Sequence, residues 1–393
     1  LAIRRSTIRA RLVAALVLAS IAASACGGTS VAGYASRVDS RAVTDLVFQA
    51  RASTTAQVNS STLGAAVKIM RSRLGDLGVG GATVTESGGD EIVVRLPNVK
   101  NAAEVASVLG AGGQLYFYDW EESVIGPNGQ PAGPNNGAST GDDPTDQGGD
   151  PGTSVNALSE YQAIERAAKR PAMHLKLMSA PYGTLYYVDP ATQKVLTLSE
   201  AIVPAPGNAA ARQQAVGYLN ADIADAGNKL PAGAKLVYIK PGTVVRQALT
   251  PNDTSDPGYN YYYVLQDDPV ISGEDITNPI EQIDPTSAQP VVAFGFKGPA
   301  IRPFEALTAQ LARRGSENST GNNHNFQHFA ITLDNQIVSV PYVDYTQYPS
   351  GVDANEGGEI AGDFTIASAR ALAAVLASGQ LPLQLYEIPS THS

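Results

Sequence analysis

The sequence predicts an α+β protein built on two ferredoxin-like βαββαβ units separated by a linker and a small α+β insert. Three observations carry this. Short runs alternating apolar and polar side chains recur between stretches with three- and four-residue apolar spacing; glycine-rich turns punctuate them at the right places; and the strand-helix order of the first 120 residues repeats after residue 259.

In the first unit, residues 42–120, Asp45–Arg51 alternates and reads as a half-buried strand. Thr62 is the expected cap of a helix carrying Leu63, Ala66, Val67, Met70 and Leu74, which ends at Gly78. Ala82–Ser87 and Glu91–Leu96 are strands joined by the turn Gly88-Gly89-Asp90. Asn101 caps a second helix with Val105, Val108 and Leu109, and Gln114–Tyr118 is expected to close the unit.

Residues 121–156 are dominated by Gly, Pro, Asn and Asp, with Val124, Ile125 and Val155 their only large aliphatics, and read as a disordered linker. The insert, 157–258, is expected to hold helices over 157–169 and 209–226, a hairpin over 184–198 and strands near 235–239 and 244–249. The second unit, 259–388, repeats the pattern: a strand at Pro290–Phe296, a helix at 300–314, a polar loop at 315–325 and a hairpin, His328–Leu333 with Gln336–Val340, around Asp334-Asn335. Thr365 then caps a helix to about Ala377, and Leu381–Ile388 closes the unit. The closing segments resemble each other, Val108-Leu-Gly-Ala-Gly-Gly-Gln-Leu115 against Val375-Leu-Ala-Ser-Gly-Gln-Leu381 with one gap, as an internal duplication would leave them. Residues 389–393 form a tail.

The amino terminus is a different kind of segment. Arg4, Arg5, Arg9 and Arg11 precede an apolar run from Leu12 to Ala25, with no acidic residue before position 26, which is the pattern of a secretory leader over 1–25. At about 14 residues the run is shorter than the roughly 20 that span a bilayer. It ends in Ala23-Ser-Ala-Cys26, which resembles a bacterial lipobox, so Cys26 is the expected lipidation site and 26–41 a flexible tether holding the protein to the outer face of the cell membrane. Removal of 1–25 leaves 23 basic and 37 acidic side chains, a net charge of −14 against −10 for the whole chain. Such an acidic chain lacks the basic face a nucleic-acid binder needs. One Cys excludes an internal disulfide, and the richest apolar stretch after it, Ala369–Leu385, is broken by Arg370, Gly379 and Pro382.

No arrangement of nucleophile, base and oxyanion donor stands out, and no catalytic residue, cofactor or metal is assigned. His324 and His328 have metal-like spacing, but position 325 is Asn where a zinc hydrolase places its Glu, and the pair straddles a loop and a strand. Asp142, Asp143, Asp146 and Asp150 lack the register of a calcium loop. Asp267-Asp268 and Glu121-Glu122 read as turn residues at element ends. The tyrosines are the candidate polypeptide-binding surface, Tyr259, Tyr261 and Tyr263 in one run and Tyr342 and Tyr345 after the hairpin, because such side chains offer broad contact area at low entropic cost. Core packing is the competing reading of the same residues.

Three blocks resemble the first periplasmic domain of SecD, the subunit that with SecF assists the Sec protein-export channel. They are Ile69–Val79 with Gly88–Val99 and Gly113–Asp119; Pro269–Ile276; and Ala330–Pro341 with Gly358–Thr365, in the family's order. The resemblance implies that the first unit is a base and the second a head, that the head swings while engaging an emerging polypeptide, and that the partners are unfolded or translocating polypeptide and Sec components. SecD continues into a transmembrane bundle that couples proton flow, whereas this sequence stops at Ser393, so no proton-coupled activity is expected of it alone. The expected function is a lipid-anchored, non-enzymatic SecD-like protein that binds polypeptide or an envelope partner. The alternative is a binding module whose insert, 157–258, takes an unrelated ligand.

Overall fold

The computed structural model describes residues 12–13, 43–53, 56–133, 156–173, 182–197, 200–204, 208–225, 229–248, 261–285, 287–321, 324–361 and 364–388. The leader apart from Leu12 and Val13, Cys26, the tether, the aspartates at 142–150, His174, Tyr259 and His392 lie outside them.

Leu12–Val13 (β1) is a two-residue strand. Strand β2, Val43–Arg51, leads to helix α1, Ser60–Asp76. Asn59, not Thr62, caps that helix, accepting from the Ser61 and Thr62 amides while the Thr62 hydroxyl accepts from the Asn59 amide. Thr62 is thus the far half of a capping box, which explains why it marks the helix start. Strands β3, Thr83–Ser87, and β4, Glu91–Pro97, turn at Gly88, whose φ is +61°, and α2 covers Ala102–Gly110. These elements form the predicted ferredoxin-like order, with one correction. The closing strand is not 114–118. It is β19, Gln384–Ile388, which pairs antiparallel with β2 (Leu385 opposite Ala50) and completes the sheet β19-β2-β4-β3. The base core mixes both ends of the chain, with Leu46, Phe48, Met70 and Ile92 packed among Leu381, Leu383 and Leu385.

Strand β5, Leu115–Asp119, leaves the base and runs into a larger sheet. The linker reading fails for its first part. A short helix, α3 (Trp120–Ser123), and the turn after it are ordered, because Trp120, Val124 and Ile125 are fully buried and Ala132 donates to the Val124 carbonyl. The aliphatics at 124 and 125 were the signal for this. Next come α4 (Glu160–Ala168), β6 (Tyr182–Asp189), β7 (Lys194–Val195), β8 (Ala201–Pro204), α5 (Ala209–Asp225), β9 (Lys235–Ile239) and β10 (Thr243–Ala248). The insert sheet is β7-β6-β8 with β9 against β6. Strand β10 is not part of it: it pairs with β11 (Tyr262–Gln266) and, in parallel, with β16 (Gln336–Ser339).

The remaining elements are β12 (Ile271–Ser272), β13 (Ile276–Ile283), β14 (Pro290–Phe296), α6 (Gly298–Asn318), β15 (Gln327–Leu333), β17 (Tyr342–Val343), β18 (Gly358–Ala361) and α7 (Ile366–Ser378), which is capped by Thr365 with Ser368. Every predicted strand and helix of the head is present, and α6 continues four residues into the expected polar loop. Their assembly differs from a second ferredoxin-like unit. Strand β14 lies in one sheet, β1-β18-β14-β13, while β15 and β16 lie in another, β11-β10-β16-β15-β5-β12, with α6 and a cluster of Phe117, Phe294, Phe296, Phe304 and Phe329 between. Phe117 of β5, at the centre of that cluster, takes a place in the large sheet, and β19 fills the one it left in the base.

Leu383 is predicted to belong energetically to the amino-terminal unit. Leu383→Ala and Ile92→Ala, both essentially unexposed in the wild type, should each cost about 2–5 kcal/mol and speed amide exchange in β2 and β4 together. Normal β2 protection in Leu383→Ala would contradict the strand exchange.

Candidate functional site

The structure separates the predicted tyrosines. Tyr263 is fully buried, with its ring 5.1 Å from that of Trp120, edge to face, and cannot face a ligand. Its packing among Tyr118, Trp120, Val244 and Leu265 gives it to the core. Tyr261 packs half-buried against the same cluster. Tyr342 and Tyr345 come together at the surface of the head with two residues the sequence reading missed, His324 and Phe326. The Phe326 ring stacks on Tyr342 at 5.0 Å and meets Tyr345 at 5.4 Å. The exposed His324 ring lies parallel to Phe326 at 5.5 Å, and its Nδ1 is 2.7 Å from the Tyr345 hydroxyl. Alternation along β15 and β17 accounts for the arrangement, since His328 and Tyr342 are register partners and Phe326 enters β15 from the same side.

Small residues bring the loop after β17 onto α6. A side chain at Gly315 would press within 3 Å of the Asn325 carbonyl, and one at Gly351, whose φ is +88°, would strike the backbone at Glu305 and Ala309. Thr308 accepts from the Val352 amide. Asp344 closes the turn by accepting from Thr346 and Gln347; burial raises its carboxyl, but those hydrogen bonds outweigh it and hold the pKa below the usual range. Beside Tyr345, the outer face of α6 forms an open groove of about 650 Å³ lined by Ala306, Ala309, Gln310, Arg313 and Pro349. Aromatic rings beside an alanine-floored groove suit an extended chain with apolar side chains.

Behind the ledge sits a buried ionic cluster. Arg314 makes a bidentate pair with Asp119 at 2.6 and 3.0 Å, reaches Glu121 at 3.2 Å and donates to Gln327 at 2.7 Å. Glu121 accepts from the His328 backbone amide and lies 2.8 Å from His328 Nδ1. Burial raises the Asp119 pKa against the opposing effect of Arg314. Glu121 is therefore not a turn residue: it is 1% exposed and fastens α3 to α6 and β15. His324 and His328 serve different partners, Tyr345 and Glu121, and no cluster of three metal-ligating side chains occurs among the described residues.

Asp267 is likewise no simple turn residue. It accepts from Tyr118 at 2.9 Å and Tyr182 at 2.6 Å, and Glu200 accepts from Tyr186 and Asn335. Burial, with Asp267 adding to it, raises both Tyr118 and Tyr182 well above the usual phenol pKa, so the network stays protonated at its hydroxyls. Arg246, 3% exposed, supplies the positive charge beside these groups. This network joins the insert to the large sheet, and Arg51 joins it to the base through Asp222 at 2.8 Å.

At the junction of base and head, Arg73 is fully buried. It donates to the carbonyls of Val108, Leu109 and Ala111 at the end of α2, and to Ser378 Oγ and the Gly379 carbonyl at the end of α7. Burial lowers its pKa to about 10 despite the Asp334 carboxylate. Asp334, at φ +54° in the β15-β16 turn, points its carboxylate inward to accept from the Gln114 amide, and burial raises its pKa.

Two family models match the chain: residues 63–122 as the N-terminal part of the SecDF P1 domain and residues 247–383 as the SecDF P1 head subdomain, together about half of the chain. The chain is 36% identical to SecDF of Brucella abortus over 120 residues, 30% of this chain and 13% of that one. It is 34% identical to SecD of Rickettsia prowazekii over 125 residues, 32% and 20%, and 37% identical to SecD of Mycobacterium tuberculosis over 114 residues, 29% and 17%. It therefore spans a fifth or less of the length of these relatives. Among solved structures it is similar to SecDF in a super-membrane-facing form, with 16% identity and a TM-score of 0.44 over 89% of this chain and 30% of that one. A second SecDF structure, of a membrane component that enhances protein export, gives 15% identity and 0.40 over 89% and 100%. The two matched models define an α+β P1-type module, an N-terminal part followed by a head subdomain. This chain carries the first periplasmic domain of SecD, its N-terminal part and its head both present and in the family's order.

Because its folded pKa is raised, Asp334 holds its proton more tightly in the folded protein than in the unfolded chain. Its contribution to stability is thus greatest in acid and declines as pH rises from the ordinary carboxylate pKa through the raised value. Asp334→Asn keeps an acceptor for Gln114 and removes the titration. Urea unfolding across that window should show the variant gaining on the wild type as pH rises; a pH-independent difference would contradict the buried carboxyl.

Proposed function

We propose that this protein binds unfolded or translocating polypeptide on the outer side of the cell membrane, as a non-enzymatic accessory of Sec-dependent export. The observation that carries the reading is the ledge of Phe326, Tyr342, Tyr345 and His324 beside the α6 groove. It presents aromatic faces on a backbone fixed by the buried Arg314-Asp119-Glu121 cluster, so contact area is offered with little ordering cost. Sec translocon components are the partners that the SecD family membership supports. Among the described residues no helix is long and apolar enough to cross a membrane. The lipobox-like Ala23-Ser-Ala-Cys26 supports attachment through lipid at Cys26. The insert's inner surface is occupied by α4 and the large sheet, in a cluster of Ile164, Tyr186, Ile239 and Val264. It therefore acts in this reading as a brace between base and head.

Tyr342→Ala with Tyr345→Ala should weaken binding of a fluorescent, unfolded secretory polypeptide by about tenfold, the equivalent of about 1.4 kcal/mol, with the far-ultraviolet spectrum unchanged. Unaltered affinity would reject the ledge as the binding surface. For the anchor, Cys26→Ser is expected to abolish incorporation of labelled fatty acid and to release the protein from membranes on fractionation. Continued labelling of the variant would refute lipid attachment at this residue.

A further inference from the structure

The sheet β1-β18-β14-β13 has two edges, and they are built differently. Strand β13 is guarded. It contains Pro279, which has no amide proton to offer; its register with β14 slips between Thr277 and Ile280; Asn278 stands at φ +50°; and Glu281 is engaged by Arg370 at 3.6 Å. Bulges, prolines and charges of this kind keep a sheet edge from accepting a further strand.

Strand β18 carries no proline, and its one charged residue, Glu359, is 5% exposed. Gly358–Ala361 pairs with β14 without a slip, Phe294 opposite Gly358 through Val291 opposite Ala361. Gly357 precedes it at φ +76°, where a side chain would come within 2.5 Å of the Phe294 carbonyl, so the chain enters the strand tight against β14. Ile360, 1% exposed, anchors the strand in the head core. The outer side of this edge is where β1 lies, parallel to β18, with Leu12 opposite Ile360 and Val13 opposite Ala361. An apolar stretch that the sequence marks as part of a leader is thus paired, backbone to backbone, with the edge that has neither proline nor register slip.

We propose that the β18 edge is a strand-addition site that takes an extended apolar polypeptide segment in parallel register, and that the chain's own residues 12–13 fill it until the leader is removed. Main-chain hydrogen bonds supply the affinity in this mode and tolerate varied side chains, which suits a ligand with no common sequence. The inference rests on the proposed function for its class of ligand but places it on a surface separate from the tyrosine ledge.

The test uses the full chain carrying Leu12→Pro and Val13→Pro, which removes two amide protons and vacates the edge without touching the folded core. The probe is a synthetic peptide of residues 10–19 with a photoreactive group at the Leu12 position, and crosslinks are mapped by mass spectrometry. Labelling within 357–361 should rise severalfold over the unsubstituted chain and should survive Tyr345→Ala. Equal labelling of the two chains at 357–361 would overturn the proposal. Labelling confined to the ledge would overturn it while leaving the proposed function standing, and labelling at neither place would overturn both.

Discussion

The architecture depends on one buried guanidinium. Two helices, α2 and α7, end against Arg73, and each brings there the negative end of its dipole and carbonyls that have no partner within the helix. Each helix is followed by a glycine with positive φ, Gly113 at +74° and Gly379 at +79°, and then by an apolar strand. The two chains cross at this point, where the Leu381 amide donates to the Gly112 carbonyl. Strand β5 proceeds into the head, and β19 returns to the base. Removing the guanidinium would leave several acceptors buried and unsatisfied, at about 1–3 kcal/mol each. Asp334 adds the opposite charge from the head's own hairpin, so base, head and crossover meet at a single polar centre in apolar surroundings.

The rest of the molecule is tied to that centre by further buried charge. Asp119, the last residue of β5, and Glu121, just beyond it, hold Arg314 and His328 of the head. Asp267 and Glu200 hold Tyr118, Tyr182 and Tyr186 and so bind the insert to the large sheet. The aromatic ledge stands on the first of these clusters. Its rings are therefore presented by a backbone that the exchanged strand helps to fix, which gives the strand exchange a direct bearing on the proposed binding surface.

Most of the elements were legible in the sequence because they are local. The helix start marked by Thr62, the Thr365 cap, the Gly88 turn and the alternation of β14 announce themselves within a few residues. Pairing was not legible. Leu115–Asp119 and Gln384–Ile388 are both short strands that follow a helix and a glycine stop, and nothing within either says which sheet it joins. Their likeness, read as duplication, was a true sign that the two segments are related in space, since the preceding helices end on the same arginine. Arg73 reaches acceptors 35 and 306 positions away, and Arg314 a carboxylate 195 positions away, so neither role has a sequence signature. Tyr263 and Tyr345 look alike in sequence and differ only in that one faces Trp120 and the other the surface. The carboxylates at 121 and 267 look like turn residues in the sequence because their phenolic, imidazole and guanidinium partners lie on distant elements.

The most direct measurement is amide exchange of Arg73→Met against the wild type, followed in β5 and β19 together. If one guanidinium holds the crossover, protection in both strands falls in parallel, with a loss of about 3 kcal/mol or more in the opening free energy. Protection lost in only one strand, or retained in both, would contradict the account.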